Sequence, residues 1–292
     1  VRRALLAAVV LDAVLADPAR WHPVAGYGRA AAALERRLWR DSRAAGTAYV
    51  LVAVGVPVLT TLPARRSRLA FAVGLWACLG GTSLGRVAAG LGADLERGDL
   101  AAARTGLPAL CGRDAAALDA AGLARAVVES VAENTSDAAV APLLWAAAFG
   151  LPGVVGYRAA NTLDAMVGHR SARYVRFGTA AARLDDAANL LPARVTAALT
   201  CLLAPLVGGS PRAAWRGWRT AGHPSPNAGP CEGSFAGALG RTLGGALAYD
   251  GRTEQRPTLG AGPAPGAADI ARAVRLSRAV VLAAVLLLAV RR

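Results

Sequence analysis

Three short stretches of this 292-residue chain concentrate side chains that could do chemistry. The first is Glu129-Ser-Val-Ala-Glu133-Asn134-Thr-Ser136-Asp137. At about 100° per residue, an uninterrupted helix puts Glu129, Glu133, Ser136 and Asp137 within roughly a quarter to a third of its circumference. Carboxylates sharing one face repel each other and call for a cation, a proton or an arginine. Arg125, one turn before Glu129, is a candidate partner. The second stretch runs Arg158-Ala-Ala-Asn161-Thr-Leu-Asp164 and leads into Arg170, Arg173 and Arg176. Asn161 and Asp164 are helical neighbours, and an acid beside an amide suits Mg²⁺, which prefers oxygen ligands and bridges to substrate phosphates. The arginines after them suit a phosphate or a lipid surface equally. The third stretch, Arg183-Leu-Asp185-Asp186-Ala-Ala-Asn189, precedes Pro192 and Arg194. Its acids could bind a cation, or could complement the start of a following helix. Two proline-rigidified segments hold further polar groups: Asp17-Pro18 to His22-Pro23, and His223-Pro-Ser-Pro-Asn227. Such loops can present a His or Asn to a ligand, and turn structure explains them as readily.

The elements positioning these groups are apolar and helical. The sequence is 54% hydrophobic and 18% charged, with a mean hydropathy of +0.38. Soluble domains are nearer one quarter charged, so the balance leans toward a membrane. Residues 46–63 match one membrane thickness of about 20 residues, and residues 69–92 form a second run interrupted by Arg86. Small residues and the basic turn between them predict a close helical hairpin. Residues 93–137 are more polar and predict helix with a break near Thr105 to Pro108. Residues 138–157 are apolar and broken by Pro142, Gly150 and Pro152. The run 195–209 is only fifteen residues long and predicts a buried or re-entrant segment. Residues 210–269 read as loop-rich, and 276–290 as a last apolar helix. No alternating strand pattern persists. The expected fold is all-α and polytopic in a membrane, with about four or five membrane-associated segments in one integrated unit covering 1–292. The opening run, Ala4 to Ala16, resembles a secretory signal, but Asp12 inside it argues for a functional intramembrane acid instead.

Charge and cysteine usage exclude several classes. The formal net charge is +14, and all 33 basic residues are arginine. Without lysine there is no P-loop lysine, no kinase β3 lysine and no Schiff base. Any ATP chemistry must therefore rely on arginine for phosphate neutralisation. Arginines grouped between apolar runs suit loops beside an anionic membrane surface, and no nucleic-acid motif is present. Cys78, Cys111, Cys201 and Cys231 are too dispersed for a zinc or disulfide framework, and His22, His169 and His223 have no metal-binding spacing.

At the same residues the chain resembles the adenosylcobinamide-phosphate synthase family of cobalamin biosynthesis. The resemblance is carried by Glu129 to Asp137, by Tyr157-Arg-Ala-Ala-Asn-Thr-Leu-Asp to Gly168, and by Arg173-Tyr174 and Phe177-Gly178. Ala182-Arg-Leu-Asp-Asp186, Pro192-Ala-Arg194 and His223-Pro-Ser-Pro-Asn-Ala-Gly229 continue it. The opening Leu11-Asp12 to His22-Pro23 also fits. Pro230-Cys231 stands where the family has Trp-Pro, while Glu232 and Ala236 to Gly240 fit the pattern.

The resemblance implies an integral membrane ligase using ATP and Mg²⁺. It would join (R)-1-amino-2-propanol O-phosphate, or the free amino alcohol, to a propionate of adenosylcobyric acid, giving adenosylcobinamide phosphate or adenosylcobinamide. Glu129, Glu133, Asp137 and Asp164 are then expected to be catalytic, with Glu133, Asp137, Asp164, Asp185 and Asp186 as metal ligands. Arg158, Arg183 and Arg194 are expected at phosphates, with Asn134, Ser136, Asn161, His223 and Asn227 completing substrate binding. Membrane lipid and other cobalamin enzymes are the expected partners. ATP supply implies a cell-membrane protein with its site on the cytoplasmic side. The competing reading is a non-enzymatic scaffold or corrinoid transport subunit.

Overall fold

The computed structural model describes residues 2–18, 21–249 and 252–290. Its helices, in chain order, are α1 (Arg2–Leu15), α2 (Pro23–Leu38), α3 (Arg43–Thr61), α4 (Arg68–Cys78), α5 (Gly81–Glu96) and α6 (Leu100–Gly106). There follow α7 (Ala120–Thr135), α8 (Ala141–Leu163), α9 (Thr179–Leu203), α10 (Pro211–Arg219) and α11 (Ala228–Leu239). A hairpin of β1 (Leu243–Tyr249) and β2 (Arg252–Leu259) precedes α12 (Ala267–Val290). Five helical stretches are long and apolar enough to cross a membrane: Arg43–Thr61, Arg68–Glu96, Ala120–Gly168, Thr179–Val207 and Ala267–Val290.

The expected all-α membrane fold is therefore present. The expected buried or re-entrant segment at 195–209 is instead the second half of a longer helical stretch. Its upstream turns, Thr179 to Arg194, contain so many polar groups that hydropathy alone conceals them. The β1–β2 hairpin was also missed. Its antiparallel register passes from Leu243↔Leu259 to Tyr249↔Arg252, with an irregularity between Leu243 and Gly245. Three glycines and a proline within it erase any alternation of apolar and polar residues.

The chain forms two compact units, each drawing on distant segments. Unit 1 comprises 1–80, 137–190 and 287–292, and unit 2 comprises 81–136 and 191–286. In unit 1, α3 and α4 each pack on α8, and α1 packs on α4. The basic turn is thus flanked by helices that share α8 as a neighbour, where the sequence suggested a close pair. The opening apolar run folds as α1, with Asp12 buried. His22 caps α2 by accepting from Val24 N–H at 3.2 Å and stands 3.4 Å from Asp17, with Pro23 in the first turn where its missing N–H costs nothing. Helix α8 kinks at Gly150, whose φ of 67° and ψ of −151° belong to a region that only glycine enters at little cost. Pro152 reinforces the break.

In unit 2, α10 and α11 approach backbone to backbone. A Cβ on Gly217 would stand 2.1 Å from the Gly233 carbonyl, and one on Gly233 would stand 2.4 Å from the Gly217 carbonyl. Neither helix can yield locally, because the obstructing atoms are main chain. Gly233→Ala is expected to force the pair apart and destabilise the protein by about 1–3 kcal/mol. Thermal melting in detergent reads this directly, and an unchanged midpoint would contradict the packing.

Candidate active site

Both acid-bearing motifs sit where helical winding changes. Ser136–Val140 and Asp164–Gly168 are π-helical turns. Each widens the helix by one residue per turn and redirects the side chains after it, and such turns recur at functional sites. Asp137 is therefore not simply the next step along a regular face carrying Glu129 and Glu133. The Ser136–Asp137 bond is also where the chain passes from unit 2 to unit 1.

Unit 1 contains an amide-bridged acidic network. Asn161 Nδ2 donates to Asp137 Oδ2 at 3.3 Å and to Asp185 Oδ1 at 3.2 Å. Asp185 Oδ1 also accepts from Asn189 Nδ2 at 3.0 Å. Asn189 Oδ1 accepts from the Tyr157 hydroxyl at 2.9 Å, and that hydroxyl reaches the Asp137 carbonyl at 3.1 Å. Arg158 Nη1 donates to Asn161 Oδ1 at 3.1 Å, which fixes the amide with its NH₂ toward the two carboxylates. Arg158 Nε and Nη2 each donate to the Cys78 carbonyl at the C-terminus of α4, one of the carbonyls that helix geometry leaves without a partner. Asp137, Arg158, Asn161 and Asp185 thus come together as expected, and Asn189 and Tyr157 join them. The sequence placed Asn189 beside the aspartates without giving it a role, and Tyr157 opened a block of the resemblance without being assigned one. Asp164 folds back over its own π turn, since a Cβ on Gly168 would stand 1.8 Å from Asp164 Oδ1. Asp186 is half-buried beside Asp185 in sequence. Arg183 is exposed and makes no hydrogen bond or ion pair within the described residues.

The basic run after Asp164 is largely occupied. Arg173 donates to Glu35 from Nε at 3.3 Å and Nη2 at 3.0 Å, and its guanidinium stands 4.5 Å over the Trp39 ring. The Tyr174 hydroxyl donates to the same Glu35 oxygen at 2.9 Å. Arg176 is 3.8 Å from Asp41. These contacts tie the α8–α9 connection to α2.

Unit 2 contains a buried ionic cluster. Glu129, 2% exposed, pairs with Arg113 and accepts from Gly244 N–H at 2.6 Å. Arg113, not Arg125, is therefore the arginine that answers Glu129. It comes from the loop before α7, sixteen residues away, a distance no helical spacing rule reaches. Glu232 on α11 is 3% exposed and stands 4.0 Å from His223 Nε2. That nitrogen is 3.2 Å from Arg256 Nη1. His223 Nδ1 accepts from Ser225 N–H at 3.0 Å, which makes Nε2 the nitrogen facing the charged groups. Burial pushes the Glu232 carboxyl well above the usual carboxylate range, and the negative charges of Glu129 and Glu133 push it further. Arg113 and Arg256 oppose that shift. Arg194 Nη1 donates to Asn227 Oδ1 at 2.8 Å, joining two of the expected substrate residues. Asn134 Nδ2 donates to the Ser130 carbonyl at 3.0 Å, and Ser136 presents a buried hydroxyl with no hydrogen-bond partner among the described residues. The sequence reading assigned no role to Arg113, Arg256 or Glu232. Only Glu232 lay in a motif-like block that could have drawn notice.

Asp137 and Asp185 offer the oxygen ligands that Mg²⁺ prefers, while the Asn161 amide between them presents its NH₂, which a bound cation would have to displace. Among the described residues, no group of three or more His, Cys, Asp or Glu side chains is arranged to hold a metal ion. Such a pair of acids is the arrangement expected where phosphate oxygens and water complete the shell.

The comparisons with known proteins agree with the motifs. A family described as CobD/Cbib protein matches residues 5–277. The chain belongs to the CobD/Cbib family. A protein named cobalamin biosynthesis protein CobD from Mycobacterium tuberculosis is 55% identical over 284 residues, covering 94% of this chain and 91% of its own. Proteins of the same name from Chromobacterium violaceum and Geobacter metallireducens are each 43% identical, covering 92% and 88% of this chain and 89% and 85% of their own. No solved structure matches the chain. All of the site motifs described above fall inside the matched region.

Two outcomes follow from this geometry. Asn161→Leu removes the donor shared by Asp137 and Asp185 and should cost about 1–3 kcal/mol, seen as a lower melting temperature in detergent. The Glu232 carboxyl has a raised value in the folded state, so its burial favours folding at low pH. That contribution is lost as pH rises from the ordinary carboxylate range through the raised value. Glu232→Gln should therefore flatten the fall in melting temperature between acidic and alkaline pH. Parallel profiles for the two proteins would rule out a raised Glu232.

Proposed function

We propose that the protein acts in cobalamin biosynthesis as an ATP-dependent amide ligase, attaching (R)-1-amino-2-propanol O-phosphate or the free amino alcohol to a propionate of adenosylcobyric acid. The observation that carries this reading is the Asn161 bridge between Asp137 and Asp185. It brings three sequence-distant blocks of the resemblance into one oxygen-rich network within apolar helices. The names of the family relatives support the pathway, and a polar network of this kind is costly to keep in such helices without a function.

A carboxylate does not accept an amine at neutral pH without activation. In the proposed reaction a propionate oxygen attacks the γ-phosphorus of ATP and ADP departs. The amine then attacks the carbonyl carbon, phosphate leaves, and the ammonium proton passes to a base. Mg²⁺, held by Asp137 and Asp185 with Asp164, Asp186 and Glu133 as further candidates, would neutralise charge on the phosphate oxygens. Arg194, oriented by Asn227, is the candidate for the aminopropanol phosphate. Arg158 would act mainly by fixing Asn161. Glu232, buried beside His223, is the candidate to receive the amine proton, with His223 to pass that proton on. The cytoplasmic face, where ATP is available, is the proposed side for the site.

Purified protein supplied with adenosylcobyric acid, ATP, Mg²⁺ and aminopropanol phosphate should yield the amide, followed as corrinoid mass. Comparison with free aminopropanol names the amine substrate. Glu133→Gln and Asp164→Asn should each slow turnover on the order of a hundredfold, and full turnover in both would remove the site assignment. Glu232→Gln should slow amide formation from aminopropanol phosphate on the order of a hundredfold. Absence of product from folded protein that still binds corrinoid would favour the scaffold or transport role.

A further inference from the structure

Helix α12 carries three arginines in its first half, and their surroundings differ. Arg272 donates to the carbonyls of Val207 and Leu239 and to Asp269, four hydrogen bonds that engage all three of its guanidinium nitrogens. Arg275 and Arg278, three and six residues further on, make no hydrogen bond or ion pair among the described residues. The same is true of Arg86 on α5. All three lie in stretches apolar enough to cross a membrane. A guanidinium has five N–H donors, and leaving them unmet in such a helix is strongly unfavourable.

Arg275 and Arg278 border a groove within unit 2. A Cβ on Gly85 would meet Val274 and the Arg278 guanidinium at 3.5–3.6 Å, and one on Gly92 would meet Ile270 at 3.3 Å. Advancing along α5 thus retreats along α12, so the two helices pack antiparallel. The small residues open a groove of about 390 Å³ lined by Ala89, Gly92 and Val274, with Arg275 and Arg278 toward one end and Glu96 toward the other. At spacings of three and four residues, Arg275 and Arg278 continue down the same face of α12 into Leu282 and Leu286, which are 59% and 56% exposed. From Ala279 to Val290 the helix has no charged residue, a length of about 18 Å at the α-helical rise. Two cations therefore head an exposed apolar stripe, the order of a lipid head group above its acyl chain.

We propose that this groove is a binding site for an anionic glycerophospholipid. The phosphate accepts from Arg275 and Arg278, and an acyl chain lies along Leu282 and Leu286. Planar guanidinium donors match phosphate oxygens in a two-point contact. Glu96 lies at the far end, which leaves the arginine end positive.

Native mass spectrometry of the full chain, delipidated in detergent and titrated with phosphatidylglycerol or phosphatidylcholine, tests the site. One phosphatidylglycerol should remain bound in preference to phosphatidylcholine. R275Q/R278Q should weaken retention on the order of thirtyfold, the usual gain from two basic residues at an anionic surface. R65Q/R66Q, which removes the same charge from the turn before α4, should not. Ala89→Leu fills the groove while keeping both arginines and should also weaken retention, so the test does not hang on the folding of one variant. Equal retention by R275Q/R278Q or Ala89→Leu, equal loss in R65Q/R66Q, or no preference between the lipids would each overturn the proposal. Displacement of the lipid by millimolar inorganic phosphate would identify a soluble phosphate as the ligand and overturn it equally.

Discussion

A charged or amide side chain on a helix that is apolar enough for a membrane must find its partners inside the protein. The Asp137–Asn161–Asp185–Asn189–Tyr157 network follows from that constraint. Two carboxylates can share the network because an amide stands between them, donating to both while its own oxygen is held by Arg158. Without that bridge, two acids in a medium of low polarity would repel, or one would be protonated. The same arginine closes the end of α4 by binding the Cys78 carbonyl. One side chain therefore secures both a helix terminus and the orientation of the central amide.

Unit 2 answers the same constraint with ion pairing. Glu129 is met by Arg113 and by a backbone N–H from the β1–β2 hairpin. Glu232 stands 4.0 Å from His223, with the charges of Arg113 and Arg256 acting on it. Burial near other acids makes Glu232 hold a proton more readily. Asp137 lies in the π turn Ser136–Val140, which directly follows the helix carrying Glu129 and Glu133.

The backbone irregularities coincide with the chemistry. Asp137 and Asp164 both belong to π turns, and Gly150 kinks α8 between them. Each device re-aims a side chain without adding a polar atom to the exterior of an apolar helix. Asp164 occupies space that only Gly168 leaves open. The glycine in that motif is therefore a steric requirement of the acid four residues before it.

The sequence by itself determined the apolar helical architecture, the absence of lysine-based phosphate chemistry and the blocks in which polar residues concentrate. Those features depend on composition and on spacing along one helix, which a linear chain displays. It also showed the break at Gly150 and Pro152, because backbone preference is local. It did not reveal that Asn161 would bridge acids from two other segments, each 24 residues away. Nor did it show that Arg113 and not Arg125 would meet Glu129, or that Glu232 would be buried beside His223 and near Arg256. The hairpin hid behind its glycines, and the first half of α9 behind its polar residues. In each case the deciding quantity was the distance between segments remote in sequence, and only the folded chain sets that distance.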